Sequence, residues 1–176
     1  MPHDPETARR VLAERAEALA RPPRAEDRSE MIGTVGLAIG QERYAVELHT
    51  VVGIETAVRL TPLPGTPKIW AGLANVHGAL QPVLDLREYL GVSATEPEAA
   101  EAATVVLVAA GGLRVGLLCD DASDVRWIRR SDIVAPPPSR ARRGRPVLRG
   151  LTSDLVGLLN LEVLLSDPAL IVDHGL

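Results

Sequence analysis

Phenylalanine is missing from this chain, and two Trp and two Tyr are the only aromatic side chains among 176 residues. A core built this way must be packed mainly with Val, Leu, Ile and Ala, and nucleobases would find few rings to stack on. A single cysteine, Cys119, forbids an internal disulfide, and the chain is long enough to bury a core without one. Cys119 lies in an apolar run and reads as buried packing, not as a reactive thiol. No apolar stretch approaches the roughly 20 residues of a membrane helix, and the first residues carry no apolar signal core. The expectation is a cytoplasmic protein that is not membrane-inserted. Lysine is nearly absent as well, with Lys68 alone beside 18 Arg. The formal net charge of −4 supplies no general attraction to phosphate or anionic lipid.

Catalytic patterns are missing too. His3, His49, His77 and His174 show no repeated ligand spacing, and the lone cysteine has no partner for a zinc site. There is no Walker lysine loop, no G-x-S-x-G elbow and no H-E-x-x-H. Asp120, Asp121 and Asp124 could hold a metal but read better as turn residues, and Gly111-Gly112 reads as a hairpin turn. No catalytic, cofactor-binding or metal-binding residue is expected. The strongest local charge is Arg140, Arg142, Arg143 and Arg145, with Arg126, Arg129, Arg130 and Arg149 nearby, in the proline-rich stretch 136–149. A solvated loop or the rim of a protein interface is favoured over a nucleic-acid site.

What is present is organised around residues 70–90, WAGLANVHGALQPVLDLREYL. Gly72 opens a strand, and Val76, His77, Gly78 and Ala79 bracket a tight corner where Gly78 supplies backbone angles that a Cβ would forbid. Gln81-Pro82-Val83-Leu84 runs back as a second strand, and Pro82 points to a sheet edge or a strand start. Asp85 is placed to cap a helix with Glu88 three residues on. Leu86, Tyr89 and Leu90 form that helix's apolar face, and Gly91 is its left-handed stop. The plan returns about 75 residues later in GLTSDLVGLLNLEVLL (150–165), with Asn160 as the cap and Leu161, Leu164 and Leu165 on the helix face. Pro168 ends that copy.

Upstream, VGLAIGQERYAVELHTVVGIE (35–55) matches VVLVAAGGLRVGLLCDDASDVRWI (105–128) at an offset of about 70 residues. In the first copy Val35, Leu37 and Ile39 alternate, Gln41-Glu42-Arg43 turns, and Tyr44, Val46 and Leu48 return. Val51, Val52, Ile54 and Val58 continue as a third run. In the second copy the runs are 104–110, 113–119 and 122–129. The offset exceeds the roughly 20–50 residues of a solenoid repeat and suits a duplicated five-strand unit.

Ahead of the duplication, residues 1–24 read as an amphipathic helix with a proline-rich end, followed by a charged linker at 25–31. Asp4 caps the helix, Pro5 fits its first position, and Ala8, Val11, Leu12, Ala16 and Leu19 form a narrow apolar stripe over 4–20. It docks either a partner or its own domain. Residues 92–103 join the two copies.

The series G-x-x-N-x-x-G-x-x-x-P-V-x-D-L, carried by Gly72, Asn75, Gly78, Pro82, Val83, Asp85 and Leu86, resembles CheW-type chemotaxis coupling proteins. Tyr44-Ala45-Val46, Val51 and Ile54 upstream, and Gly116, Asp120, Val125 and Leu159-Asn160-Leu161 downstream, keep the family's order. The resemblance implies an all-β fold of two pseudo-symmetric five-stranded SH3-like barrels with short helices after strands, the two lobes intertwined over 32–172. It implies a non-enzymatic adaptor joining the cytoplasmic tip of a chemoreceptor to the regulatory domain of a CheA-type histidine kinase. Such a protein would be cytoplasmic, in company with membrane-bound or cytoplasmic receptor arrays. By position, Leu48, Val51, Gly53, Ile54, Asn75, His77 and Gly78 would line the receptor groove, with Gly72, Pro82, Asp85 and Asn160 as structural positions. The family often has N-L-R-G where this chain has Asn75-Val76-His77-Gly78, and some members carry an acidic residue where Gly53 stands. Two alternatives remain: a CheW-like module serving a partner outside chemotaxis, and a tandem barrel binding nucleic acid through the arginine loop.

Overall fold

The computed structural model describes residues 30–92, 103–122, 124–137 and 146–171. The expected helix over 4–20, most of the joint at 92–103 and Arg140, Arg142, Arg143 and Arg145 lie outside the described residues. In chain order the strands are β1 (Met31–Ile39), β2 (Glu42–Glu47), β3 (Val51–Val58), β4 (Leu60–Thr61), β5 (Trp70–Val76) and β6 (Ala79–Asp85). After helix α1 (Leu86–Leu90) follow β7 (Ala103–Ala110), β8 (Leu113–Cys119), β9 (Val125–Arg129), β10 (Leu148–Leu151), β11 (Gly157–Leu159) and helix α2 (Leu161–Leu165). The fold is all-β, with the short helices following β6 and β11.

The duplicated unit is visible in two sheets of matching order. One runs β3-β7-β8-β6-β5-β4 and the other β9-β1-β2-β11-β10, read from the edge. The first lobe thus takes its central hairpin, β7–β8, from the second half of the chain, and the second lobe takes β1–β2 from the first half. Two parallel contacts seal the exchange, β6 with β8 and β11 with β2. Val83 lies against Gly116 in one, and Leu158 against Ala45 in the other. Neither half of the sequence contains a complete lobe.

Turn chemistry sets the hairpins. Gly111-Gly112 has φ of +58° and +80°, a two-residue turn in which both residues are left-handed. The β1–β2 turn is Gly40-Gln41, closed by the pair Ile39–Glu42, so Glu42 and Arg43 already belong to β2 and the turn lies one residue earlier than the pattern suggested. Gly40, at φ +59°, takes the conformation that a side chain would resist. The run expected over 122–129 contributes a strand only from Val125 onward. Residues 120 and 121 instead cross to β1 through backbone bonds with Ala38.

Two readings of the central stretch are corrected. Gly72 does not open its strand: it is the third residue of β5, beside a register shift, and φ there is +138°. A Cβ on it would come within 2.3 Å of the Thr61 carbonyl oxygen, so glycine lets β4 reach β5. Gly150 in β10 repeats the arrangement, with the Val134 carbonyl oxygen 2.8 Å from a Cβ and Val134 bridging Leu151. Pro82 is on neither an edge nor a strand start, because β6 lies between β5 and β8. The ladder to β8 begins only at Val83, so the N–H that proline lacks is not needed.

Both helices are capped as their sequences require. Asp85 accepts the backbone N–H groups of Arg87 at 2.8 Å and Glu88 at 3.2 Å, and Gly91 closes the helix at φ +71°. Asn160 accepts the Val163 N–H at 3.3 Å. The helices pin the two sheets to one large core shared by both lobes, where Leu37, Val46, Leu84, Val106, Leu117 and Leu164 meet. The Tyr89 hydroxyl, fully buried, donates to Asp167 at 2.9 Å and ties α1 to the turn after α2.

Candidate functional site

The expected site residues fall on one edge of the first lobe but not on one surface. Among the described residues β3 is the outer strand of its sheet, paired only with β7. Register shifts between Val51 and Gly53 and between Glu55 and Val58 bend it. Val52 is 50% exposed and Ile54 38%. Leu48 and Val51 are half-buried against the shared core, and Leu48 belongs to a short 3-10 turn, not to the strand. Gly53 is half-buried with Leu107 behind it, 3.8 Å from where a Cβ would stand. Of the β3-side residues, Ile54 therefore offers a side chain outward, while Leu48, Val51 and Gly53 support the strand. Val52, absent from the expected set, joins Ile54; its signal was an apolar residue within the third apolar run of the first copy.

The β5–β6 corner stands beside this edge. His77 and Gly78 have φ of +49° and +85°, so the corner needs two left-handed residues, not one. The Asn75 carboxamide accepts the Gly78 N–H at 2.9 Å and locks the turn from inside. Asn75, His77 and Gly78 are all exposed. His77 Nε2 lies 3.7 Å from Glu55 Oε1 on β3, so corner and edge form one surface with a titratable pair across it. That pair was hidden in the sequence, because 22 residues separate its members. Gly72, Pro82, Asp85 and Asn160 serve the backbone, as described above.

The corresponding place in the second lobe differs. There Ile54 is matched by Val125 and Glu55 by Arg126, since both pairs face the same positions of the exchanged hairpins. Arg126 reaches Asp154 at 3.5 Å and Asp124 at 3.0 Å. The Thr152 hydroxyl bonds Asp154 at 2.6 Å and holds its carboxyl below the ordinary value, with help from its own backbone N–H and Arg126 against slight burial. Behind these residues opens a cavity of about 620 Å³, lined by Gly36, Ala38, Ala45, Trp127 and Val156 among others.

Elsewhere the chemistry is quiet. Cys119 is 5% exposed, and burial, followed by the charges of Asp120 and Asp121, pushes its thiol up to about 12, far from a nucleophile at neutral pH. Asp120 accepts the Gly40 N–H and pairs with Arg87, which is turn and bridge work. Among the described residues no group of three or more His, Cys, Asp or Glu is placed to hold a metal, and no helix is long and apolar enough to cross a membrane.

Comparison with known proteins gives a consistent result. The CheW-like domain model matches residues 34–169. "Chemotaxis protein CheW" of Rhizobium meliloti (strain 1021) is 30% identical over 118 residues, 66% of this chain and 74% of that protein. "Probable chemotaxis protein CheW" of Rhizobium etli is 28% identical over 137 residues, 76% of this chain and 86% of that one. Among solved structures, the scaffolding protein TtCheW from Thermoanaerobacter tengcongensis aligns with a TM-score of 0.66 at 22% identity, covering 78% of this chain and 94% of its own. The last likeness identifies the fold as the two-barrel architecture.

Proposed function

The chain belongs to the CheW-like domain family, and on that premise we propose that it is a non-enzymatic scaffold coupling a chemoreceptor to a CheA-type histidine kinase. The observation that carries the receptor half is the outer β3 strand, where Val52 and Ile54 stand exposed beside the Asn75–Gly78 corner. An apolar edge next to a polar, conformationally fixed turn suits the apolar stripe of a helical receptor tip. Ile54, Asn75, His77 and Gly78 make the contacts, and Leu48, Val51 and Gly53 hold the edge in place. The kinase's regulatory domain meets the ends of the barrels. No bond is made or broken by any residue in this reading, and the protein works in the cytoplasm beside its receptor.

His77 favours a second reading, in which the module serves a partner other than a chemoreceptor. An arginine there would be permanently charged and offer a fork of donors to a carboxylate. A histidine gains charge only on protonation and already faces Glu55.

Binding isotherms with an isolated regulatory domain and with a receptor-tip hairpin test both readings. The wild-type chain is expected to bind both. Ile54→Asp should weaken the receptor tip about tenfold or more, near 1.4 kcal/mol, and leave the kinase domain unaffected. His77→Arg should strengthen the tip by about tenfold, in line with the roughly 1.5–3 kcal/mol of a hydrogen bond to a charged group. Binding to neither partner overturns the scaffold reading; kinase binding without receptor binding selects the second.

A further inference from the structure

We propose that the β10–β11 end of the second lobe is a self-association surface, on which Leu155 of each chain enters a hollow beside Leu155 of the other. Leu155 lies in the β10–β11 corner, the counterpart of the β5–β6 corner in the first lobe. At 76% it is the most exposed large apolar side chain among the described residues. Its φ is +62°, a left-handed conformation that glycine or asparagine adopts with less strain than leucine. The first lobe meets the same demand with His77 and Gly78. The turn is closed by its own bonds. Buried Thr152 accepts the Val156 N–H at 3.0 Å through its hydroxyl and the Leu155 N–H at 2.9 Å through its carbonyl. The same hydroxyl donates to Asp154 at 2.6 Å. Backbone strain and a solvated leucine both count against the folded chain, so this corner holds an apolar knob outward instead of packing it.

The surroundings select the partner. Beside Leu155 opens a hollow of about 280 Å³, walled by Tyr44, Leu148 and Leu151 and edged by Glu42, Arg43 and Asp154. Knob and hollow on one patch are self-complementary, which is the condition for a twofold contact between identical chains. The charges agree. Arg43 is exposed and has no ion pair among the described residues, and exposed Asp154 stands on the same rim. A twofold axis between the knobs lets each Arg43 face the other chain's Asp154. A partner of one sign would leave part of this mixed rim unanswered, whereas a second copy supplies both signs. The outer β3 strand belongs to the other sheet and takes no part.

Sedimentation equilibrium of the full chain tests this from about 10 μM to 1 mM, the range of a small transient contact. The wild type should follow a monomer–dimer equilibrium that stops at two chains. Leu155→Asp should raise the dissociation constant at least about tenfold. Leu155→Asn should do the same while leaving the monomer's melting temperature unchanged or higher, because asparagine accepts the left-handed backbone. In dimers of mixed isotope labelling, the Leu155 methyl groups should show contacts to Leu148 and Leu151 of the other chain. A monomer throughout that range, a dimer indifferent to Leu155→Asp, or growth beyond two chains overturns the proposal. So does a clear fall in melting temperature on Leu155→Asn, which would make the leucine part of its own fold. Leu155 methyl signals that move only when a kinase regulatory domain or a receptor-tip hairpin is added would assign the knob to those partners, and overturn it too.

Discussion

In the first lobe Val83, Val105 and Leu107 close over Gly116, whereas the same places in the second lobe hold Leu158, Thr34, Gly36 and Ala45. The backbones correspond strand for strand, yet one interior is filled with aliphatic side chains and the other is open and rimmed with charge. The features common to both lobes are backbone features: a glycine under the crossing chain (Gly72, Gly150), a helix cap (Asp85, Asn160) and a two-residue hairpin turn (Gly111-Gly112, Gly40-Gln41). The interiors were free to diverge because the large core lies between the lobes and draws on both sheets. The second lobe is held from behind by Leu37, Val46 and Leu159 and does not need to fill its own barrel.

The largest effect should come from separating the halves. Cut within 93–102, the fragments carrying 30–92 and 103–171 each lack the central hairpin of their lobe, so neither should show a cooperative unfolding transition alone. Mixed, they should regain one. A fragment that folds by itself would show that the exchanged hairpins are dispensable. Next, Gly72→Ala should lose more than about 3 kcal/mol in denaturant unfolding, combining a backbone clash with positive-φ strain. Gly150→Ala should lose less, since its nearest neighbour is the movable Ile133 side chain at 2.2 Å and its φ is not left-handed. Equal losses would remove the distinction.

A finer comparison probes the interiors. A Cβ on Gly116 would meet Val105 Cγ1 at 2.6 Å and Val83 Cγ2 at 3.1 Å, so Gly116→Ala should cost about 1–3 kcal/mol by overpacking. Its counterpart in the open lobe is Ala45, which already carries the Cβ, and the adjoining Gly36→Ala, at the place of Leu107, meets only Asp124 at 3.4 Å and should be neutral or stabilising by about 0.5 kcal/mol. A comparable loss at both would mean that the second interior is as tightly packed as the first. The smallest difference concerns the caps. Asp85→Ala, which removes a charged acceptor of two N–H groups, should cost about 1–2 kcal/mol, and Asn160→Ala, an acceptor of one, about 0.5–1 kcal/mol. The order of the two melting temperatures checks this.

The duplication, the Gly111-Gly112 turn, both caps, the left-handed Gly91 and the buried state of Cys119 were legible in the sequence, because each depends on residues within a few positions of one another. The candidate site was legible in part. Asn75, His77 and Gly78 do form an exposed corner, and Ile54 does face outward near it. Which of the β3-side residues turn inward was not readable, since the register shifts that bend β3 arise from its pairing with β7, some fifty residues away in sequence.

By itself the sequence determined the repeating unit, its strand and turn chemistry and its helix ends, all consequences of local backbone preference and short-period burial. Only the tertiary structure decided that each lobe borrows its central hairpin from the other half. Local patterns are the same whether β7–β8 pairs within its own half or with β3 and β6. The choice is made by long-range ladders such as Val83 against Gly116, where a glycine admits the neighbouring valines. The same long-range pairing places Pro82 inside a sheet, brings His77 to Glu55 and leaves the second barrel open at the point where the chain enters it.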